Sequence, residues 1–319
     1  MERSSGRKEG AVIYFIIRMI LKLYKGPTMG LVLAIAVAGC ANSAAPVSDR
    51  PLVVATTSIW GDLVGRVVGD SASVEVLIPR GADPHDYQPS SRQVARLREA
   101  SLVVANGFDL EESLVDVLDA AISDGVTVAF MGDAITPRSL AGSDQPDPHF
   151  WTDPNLVRET LPSLVDALST ATDLPSGTLN RNADSLAGDL DSLDATLSEQ
   201  ASAVPQDRRQ LVTTHDSLGY FAAAYGYEVV GVAVAGGSTL ASPSASDLNN
   251  LVQLINSRTA PAIFVDSGQF QALAEALATS TEAQVVPIAV AALGDKGSDT
   301  DSYFSMMLTL GTTIGDALS

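Results

Sequence analysis

Cysteine and histidine are both scarce in this chain, and each scarcity limits what the protein can be. Cys40 is the one cysteine among 319 residues, so no disulfide can form within the chain and its stability has to come from packed cores. Histidine occurs three times, at His85, His149 and His215. Neither the H-E-x-x-H motif of zinc proteases nor the G-x-S-x-G motif of serine hydrolases is present, so the sequence gives neither enzyme class any support.

Basic residues are also few. The whole chain has 19 Lys and Arg against 38 Asp and Glu, and residues 41–319 have 13 against 36, which is a formal net charge of −23. This acidity excludes nucleic acid as a partner, because phosphate binding requires Lys and Arg. It suits a soluble exported domain that attracts cations at long range, although acidity that serves only solubility explains the same composition.

The N-terminal region has the pattern of an export signal. Two lysines precede an apolar run at 28–39, which ends in small residues directly before Cys40. A cysteine after Ala-Gly resembles the lipobox of bacterial lipoproteins, so we expect lipidation of Cys40, a signal peptide over 1–40 and a tether over 41–50. The alternative is a free or buried cysteine at the end of a membrane helix, but the apolar run is too short to span a membrane.

The rest of the chain alternates short β-branched runs with amphipathic segments. At 279 residues it exceeds what one core usually organises, so two domains are expected, at 51–177 and 205–319. Strands are predicted at Leu52–Thr56, Val74–Ile78, Leu102–Ala105, Val126–Phe130, Gln210–Thr214, Glu228–Val234, Ala262–Asp266 and Gln284–Ile288. Repeated strand–helix alternation is typical of parallel sheets covered by helices, so we predict two doubly wound α/β lobes.

A long helix is predicted between the lobes, at 178–204. Five leucines recur there at helical spacing among acidic residues, and no proline interrupts them before Pro205. Shorter helices are predicted at Ile59–Val68, Val94–Ala100, Leu110–Ile122, Leu218–Tyr225, Ser246–Asn256, Ala272–Thr279 and Ser302–Ala317. A connecting helix of this length predicts a stiff joint rather than a flexible hinge.

The three histidines lie in punctuated segments far apart in sequence. They occur in GADPHDYQP (81–89), DPHFWTDP (147–154) and TTHDSLGYF (213–221). His85 and His215 follow predicted strands, where open parallel sheets bind ligands, and His149 lies near the junction of the lobes. Each alone is most simply a hydrogen-bonded loop residue. If all three meet in the interlobe cleft, their imidazoles form a transition-metal site.

The surroundings of these histidines fit ligation. Pro84 and Pro148 restrict the backbone directly before two of them. Nearby carboxylates can accept the second imidazole N–H of each ring; the candidates are Asp83, Asp86, Asp147, Asp153 and Asp216. Since ligation needs neutral imidazole, metal affinity is expected to fall as the pH drops from about 7 to 5.

These motifs together resemble the metal-binding solute receptors of bacterial ABC importers for zinc and manganese, a group that includes zinc-uptake receptors and lipoprotein adhesins. The resemblance covers nearly all of 52–319. Besides the histidine segments it rests on TTSIW (56–60), ANGFDLE (105–111), STLASPSASDL (238–248), PAIFVDS (261–267) and DTDSYFSMM (299–307).

The resemblance implies a function as well as a fold. It implies a rigid two-lobed receptor with a metal between the lobes, bound by His85, His149 and His215, and no catalytic activity. A histidine at the third position, where manganese receptors often have a carboxylate, favours Zn²⁺ over Mn²⁺. The implied protein is a monomer, anchored by lipid to the outer face of the cytoplasmic membrane or periplasmic, that delivers zinc to an ABC permease and its ATPase; an adhesin is an alternative.

One position departs from the family pattern. The family commonly supplies a fourth ligand, an Asp, at the position that is Ala291 here. Water, Asp295 or Asp299 is then left to complete the ligand set. Three histidines and a water also describe a catalytic zinc centre, so a metallohydrolase with Asp216 or Glu228 as general base is the remaining enzyme alternative.

Overall fold

The computed structural model describes residues 50–141, 143–258, 260–266 and 270–319. They belong to one compact unit that begins at Arg50. The predicted signal peptide, Cys40 and tether residues 41–49 lie outside the described residues. Within the described part of the chain, no helix is long and apolar enough to cross a membrane.

The described residues contain eight strands in two parallel four-stranded sheets. The first sheet has the order β2-β1-β3-β4, and the second has the order β6-β5-β7-β8. The strands are β1 (Leu52–Ala55), β2 (Ser73–Val76), β3 (Leu102–Ala105), β4 (Val128–Phe130), β5 (Gln210–His215), β6 (Glu228–Val234), β7 (Ala262–Asp266) and β8 (Gln284–Ile288). The prediction of two parallel α/β lobes is confirmed, and the strand ends lie within two residues of those predicted.

Helices cover both sheets. They are α1 (Ser58–Val68), α2 (Ser91–Arg98), α3 (Val115–Ser123), α4 (Pro154–Thr172), α5 (Ser176–Ala203), α6 (Gly219–Tyr225), α7 (Ala245–Arg258), α8 (Gln271–Thr279) and α9 (Tyr303–Leu318). Strands β1 and β3 both read Leu-Val-Val-Ala and are buried throughout. A continuous apolar run is what a strand covered by helices on both faces requires.

Helix α4 is not among the elements predicted from the sequence. It has 19 residues, and its buried side includes Val157, Leu161, Leu164 and Leu168, which recur at helical spacing. Pro162 lies inside it and removes one backbone donor, which is the usual sign of a helix end. The apolar stripe on this helix is buried against α5, and this packing outweighs the local cost of the proline.

One hydrophobic core is shared by the two lobes. It includes Val53 and Trp60 from the first lobe, Phe264 and Met306 from the second, and the buried leucines of α5 between them. Helix α5 packs against α1, α4 and α9, so it contacts elements of both halves of the chain. Besides this shared core, the outer face of each sheet has a smaller core of its own.

A segment of the second lobe, residues 290–303, is hydrogen-bonded to the first lobe along its length; we call it the C-terminal seam. Arg80 Nη1 donates to the carbonyl oxygens of Gly294 at 2.8 Å and Asp301 at 2.7 Å. Further bonds join the seam to Ser58, Asp62, Gly81 and Trp151. This side of the boundary between the lobes is therefore closed by many contacts.

The shared core predicts opposite effects for two substitutions on α5. Leu190→Ala removes a buried side chain, 1% exposed, and we expect a loss of about 2–5 kcal/mol in the free energy of unfolding. Gly188→Ala adds a methyl group into open space at an exposed helical position, and we expect a gain of about 0.5–1 kcal/mol. Urea denaturation of the metal-free protein measures both. A loss below about 1 kcal/mol for Leu190→Ala would contradict the packing of α5.

Candidate metal centre

The structure brings the three histidines together between the two sheets. His85 lies in the loop after β2, His149 directly precedes a short turn before α4, and His215 is the last residue of β5. Their ring centroids are 4.7–5.5 Å apart, and one ring nitrogen of each lies within 4.8 Å of the others. All three side chains are buried. This is the convergence that the strand-end positions predicted.

Local hydrogen bonds fix the backbone of each histidine. The His85 N–H donates to Asp83 Oδ1 at 2.9 Å, and its carbonyl accepts from the Ser113 hydroxyl at 2.9 Å. The His149 carbonyl accepts from the Thr152 hydroxyl, also at 2.9 Å. His215 is held by its pairing with Val234 in the sheet. Asp83 was predicted to orient a ring, but the hydrogen bond it makes here is to the main chain of His85.

Asp147 is the predicted carboxylate that does contact an imidazole. Its Oδ1 lies 2.8 Å from His149 Nδ1 and 3.0 Å from the His149 backbone nitrogen. Because a carboxylate oxygen accepts, Nδ1 carries the proton and the lone pair of His149 is at Nε2. Asp153, in the same motif, instead accepts from the Asn155 backbone and caps helix α4.

Asp147 also connects the two lobes. The Tyr220 hydroxyl, from α6, donates to the Asp147 carbonyl at 3.0 Å and accepts from the Arg138 backbone N–H at 3.0 Å. The Arg138 guanidinium lies 3.8 Å from the Asp147 carboxylate. A Cβ at Gly219 would come within 2.8 Å of both side chains, so glycine permits this close approach. Arg138, Tyr220 and Gly219 were not identified from the sequence.

Four imidazole nitrogens in the cluster are buried without a hydrogen-bond partner. They are Nδ1 and Nε2 of His85, Nε2 of His149 and Nδ1 of His215. The remaining nitrogen of His215, Nε2, lies 3.3 Å from the Gly237 carbonyl oxygen. Buried polar atoms are nearly always paired, because leaving one unpaired costs about 1–3 kcal/mol. Each neutral ring has one lone pair, and one nitrogen of each ring lies within 4.8 Å of the others, so the cluster indicates a site for a ligand that accepts three lone pairs.

The candidate fourth ligands do not join this cluster. Among the described residues, the histidine, cysteine and carboxylate groups that lie close enough to share a metal ion are the three histidines. Asp295 and Asp299 are exposed, and Asp295 lies in a turn where its carbonyl accepts from Ser298. Glu228, named as a catalytic base, is exposed at the start of β6, opposite Gln210 and therefore at the far end of the sheet from His215.

Burial changes the acid–base properties of the site. Removal from water, reinforced by the neighbouring imidazoles, lowers the pKa of His85 to about 2 and that of His215 to about 3. Both rings therefore stay neutral at pH 5. For these two rings, the low pKa values place proton competition with a metal below the range of pH 7 to 5 in which it is expected from the sequence.

These pKa values predict that acid destabilises the metal-free protein. In the unfolded chain a histidine binds a proton below about pH 6.5, whereas in the folded protein His85 and His215 bind one only below about pH 2–3. The free energy of unfolding therefore falls as the pH drops below 6.5, by up to about 1.4 kcal/mol per pH unit for each ring. Urea denaturation of metal-free protein between pH 7.5 and 4 measures this slope.

The matched variant is His85→Asn, which should have a shallower slope than the wild type. Burial raises the pKa values of Asp83 and Asp216, so these carboxyls make the protein more stable as the pH falls, opposite to the histidines. Their contribution is the same in both proteins and drops out of the difference between the two slopes. Equal slopes in both proteins would show that His85 is not held neutral.

The fold and the cluster can be compared with known proteins. The zinc-binding protein TroA of Treponema pallidum is 30% identical over 282 residues, which cover 86% of this chain and 91% of TroA. The solved structure of periplasmic TroA matches with a TM-score of 0.79 and covers 85% of this chain and 99% of that chain. The manganese-binding lipoprotein MntA of Bacillus subtilis is 29% identical over 294 residues, 89% of this chain and 95% of MntA.

A family model agrees with these matches. The model described as zinc-uptake complex component A, periplasmic, matches residues 53–317, which include both lobes and all three histidines. Since that match spans well over half of the 319 residues, the chain belongs to the periplasmic zinc-uptake component A family, the metal-binding receptors of ABC importers.

Proposed function

We propose that this chain captures Zn²⁺ outside the cytoplasm and delivers it to an ABC importer. The observation that carries the proposal is the set of four unpartnered, buried ring nitrogens on His85, His149 and His215. Zinc is borderline soft and takes imidazole ligands in tetrahedral sites, whereas manganese favours oxygen. The family comprises substrate-binding components rather than enzymes, so the metal is cargo and undergoes no chemistry.

Each histidine has a nitrogen for the metal. His149 offers Nε2 because Asp147 holds its Nδ1–H. His215 has an unpartnered Nδ1, and both nitrogens of His85 are free of hydrogen bonds. Because burial keeps His85 and His215 neutral before metal binding, their lone pairs are available without loss of a proton at neutral pH.

We propose water as the fourth ligand. Alanine at 291 has no side-chain donor, and Asp295 and Asp299 are exposed away from the cluster. Three neutral imidazoles leave the charge of the dication uncompensated within the ligand set. Asp147, which is hydrogen-bonded to the ring of His149 and 2% exposed, supplies a negative charge beside the cluster. A buried charge this close attracts the cation more strongly than it would in bulk water.

The family works with ABC importers outside the cytoplasm, and several relatives are named as lipoproteins. For this chain we propose lipidation at Cys40, attachment to the outer face of the cytoplasmic membrane, and a monomer that docks on a permease driven by an ATPase. In this proposal, residues 41–50 form the tether between the lipid anchor and the receptor.

Zinc titration tests the proposal. We expect one Zn²⁺ per chain in the wild type and a loss of at least about 100-fold in affinity for His85→Ala, His149→Ala and His215→Ala, because each leaves two nitrogen ligands. A parallel competition with Mn²⁺ decides the cargo. Retained stoichiometric zinc binding in His215→Ala would contradict the three-histidine site, and tighter binding of Mn²⁺ than Zn²⁺ would identify manganese as the cargo.

The hydrogen bond between Asp147 and His149 predicts a second effect. Asp147→Asn removes the charge behind the ring and loosens the choice of tautomer, so we expect zinc affinity to fall by about 10- to 100-fold. Asp153→Asn is the matched control, because it lies in the same motif and caps α4 without contacting a ring, and it should bind zinc like the wild type. Equal affinities in the two variants would show that Asp147 does not orient His149.

A further inference from the structure

A metal ion needs a passage to reach the buried site, and the number of hydrogen bonds between the lobes differs from one part of their boundary to another. On one side the C-terminal seam is bonded to Arg80, Trp151 and other residues of the first lobe. On a second side Tyr220 is bonded to Asp147 and Arg138. The loop of residues 235–244, between β6 and α7, lies over a further part of this boundary, and we call it the gate loop.

The gate loop lies directly over the cluster. The Gly237 carbonyl oxygen is 3.3 Å from His215 Nε2, and a Cβ at Gly237 would come within 2.9 Å of Leu140 and 3.2 Å of Pro148. One gate-loop side chain that reaches the first lobe is that of Ser238, whose hydroxyl donates to Glu112 Oε2 at 3.1 Å. Leu240, in the same loop, is 57% exposed.

A cavity of about 590 Å³ lies beneath this loop. Its lining includes Phe108, Asp109, Glu112, Pro148 and residues 235–238. Residues of the lining are close to each of the three histidines. Pro148 directly precedes His149, and the Gly237 carbonyl lies next to the ring of His215. Glu112 directly precedes Ser113, whose hydroxyl donates to the His85 carbonyl. The cavity therefore adjoins the metal cluster from outside.

The charges of the cavity suit a cation. Its ionisable lining residues are Asp109 and Glu112, with no Lys or Arg among the lining residues described. A second cavity near His215, of about 410 Å³, is lined instead by Arg138 together with Asp216. A guanidinium at the opening repels a dication, so the first cavity is the more favourable passage.

Backbone geometry indicates which wall moves. Phe108 and Asp109 both have φ near +56°, a conformation that costs non-glycine residues of the order of 1–3 kcal/mol and persists where the surroundings fix it. The Phe108 ring is fixed by packing against Gly132 and Phe150. In the opposite wall, Gly236 has φ +96° and open space around its Cα, so we expect the gate loop to be the wall that moves.

We propose that Zn²⁺ enters and leaves the metal site through the cavity beneath the gate loop, and that the Ser238–Glu112 hydrogen bond holds this loop closed. The inference rests on the proposed function. When the bond breaks, the loop swings from Glu112 and uncovers the cluster, while the C-terminal seam keeps the lobes joined. Glu112 and Ser238 are positioning residues: they control access to the site and are not ligands of the metal.

Zinc exchange kinetics test this assignment with the full chain. We expect Ser238→Ala to raise both the association rate and the chelator-driven release rate by about three- to ten-fold, so that Kd changes less than either rate. Glu112→Ala should raise the release rate by a similar factor. The double variant should raise it no further, because both substitutions remove the same hydrogen bond. A substitution that merely damaged the site would raise release and weaken Kd together, without faster association.

Arg80→Met is the matched control on the seam. It removes two interlobe hydrogen bonds, so Tm should fall, while both exchange rates stay within about two-fold of the wild type. Faster release in Arg80→Met than in Ser238→Ala, or unchanged rates in both gate variants, would overturn the proposal. A wild type that binds no zinc would contradict the proposed function itself, whereas a wild type that binds zinc and shares its rates with the gate variants contradicts the gate alone.

A covalent crosslink that holds the gate loop closed tests the converse expectation, that release becomes slower. In a Cys40→Ser background, Glu112→Cys and Ser238→Cys are loaded with zinc and bridged by a short thiol-specific crosslinker. We expect the bridged protein to retain zinc against chelator at least about ten-fold longer than the same protein left unbridged. Equal retention would show that the metal leaves by another route.

Discussion

The hydrogen bond from His149 Nδ1 to Asp147 is the contact on which the site most depends. It sets the tautomer of His149 and so directs a lone pair towards the other two rings. The same residue accepts from Tyr220 of the second lobe through its carbonyl. Asp147 therefore takes part both in the contact between the lobes and in the orientation of the His149 ring, and the three histidines meet where both lobes are packed together.

The shared core explains why the lobes hold this geometry. Helix α5 buries its leucines against elements of both halves, and the C-terminal seam adds hydrogen bonds from Arg80 and Trp151. Hinged receptors close on their ligands through flexible strands between the domains, but a packed helix resists such bending. The rigidity of the body leaves local loop motion as the way to reach a buried cluster.

Much of the fold and the identity of the cluster could be predicted from the sequence. The strands have strong β-branched patterns, and Pro84 and Pro148 mark two of the three histidine loops, so local signals were sufficient. Helix α4 was not predicted: it contains Pro162, and its apolar stripe is satisfied by packing against α5. The contacts of Tyr220, Arg138 and Gly237 could not be predicted, since they join residues distant in sequence whose approach only the assembled lobes define. The low pKa values of His85 and His215 depend on burial for the same reason.

The neutral, prearranged rings have a consequence for how metal exchanges. In the absence of metal, His85 and His215 are already desolvated and deprotonated, and His149 is already oriented by Asp147. The cost of assembling the ligands is therefore met during folding, so binding has little left to rearrange. With alanine at 291, no carboxylate in the ligand set adds a direct charge–charge attraction to slow release. In the proposed zinc site, neither ligand rearrangement nor deprotonation then limits exchange, so we expect access past the gate loop to set the rate.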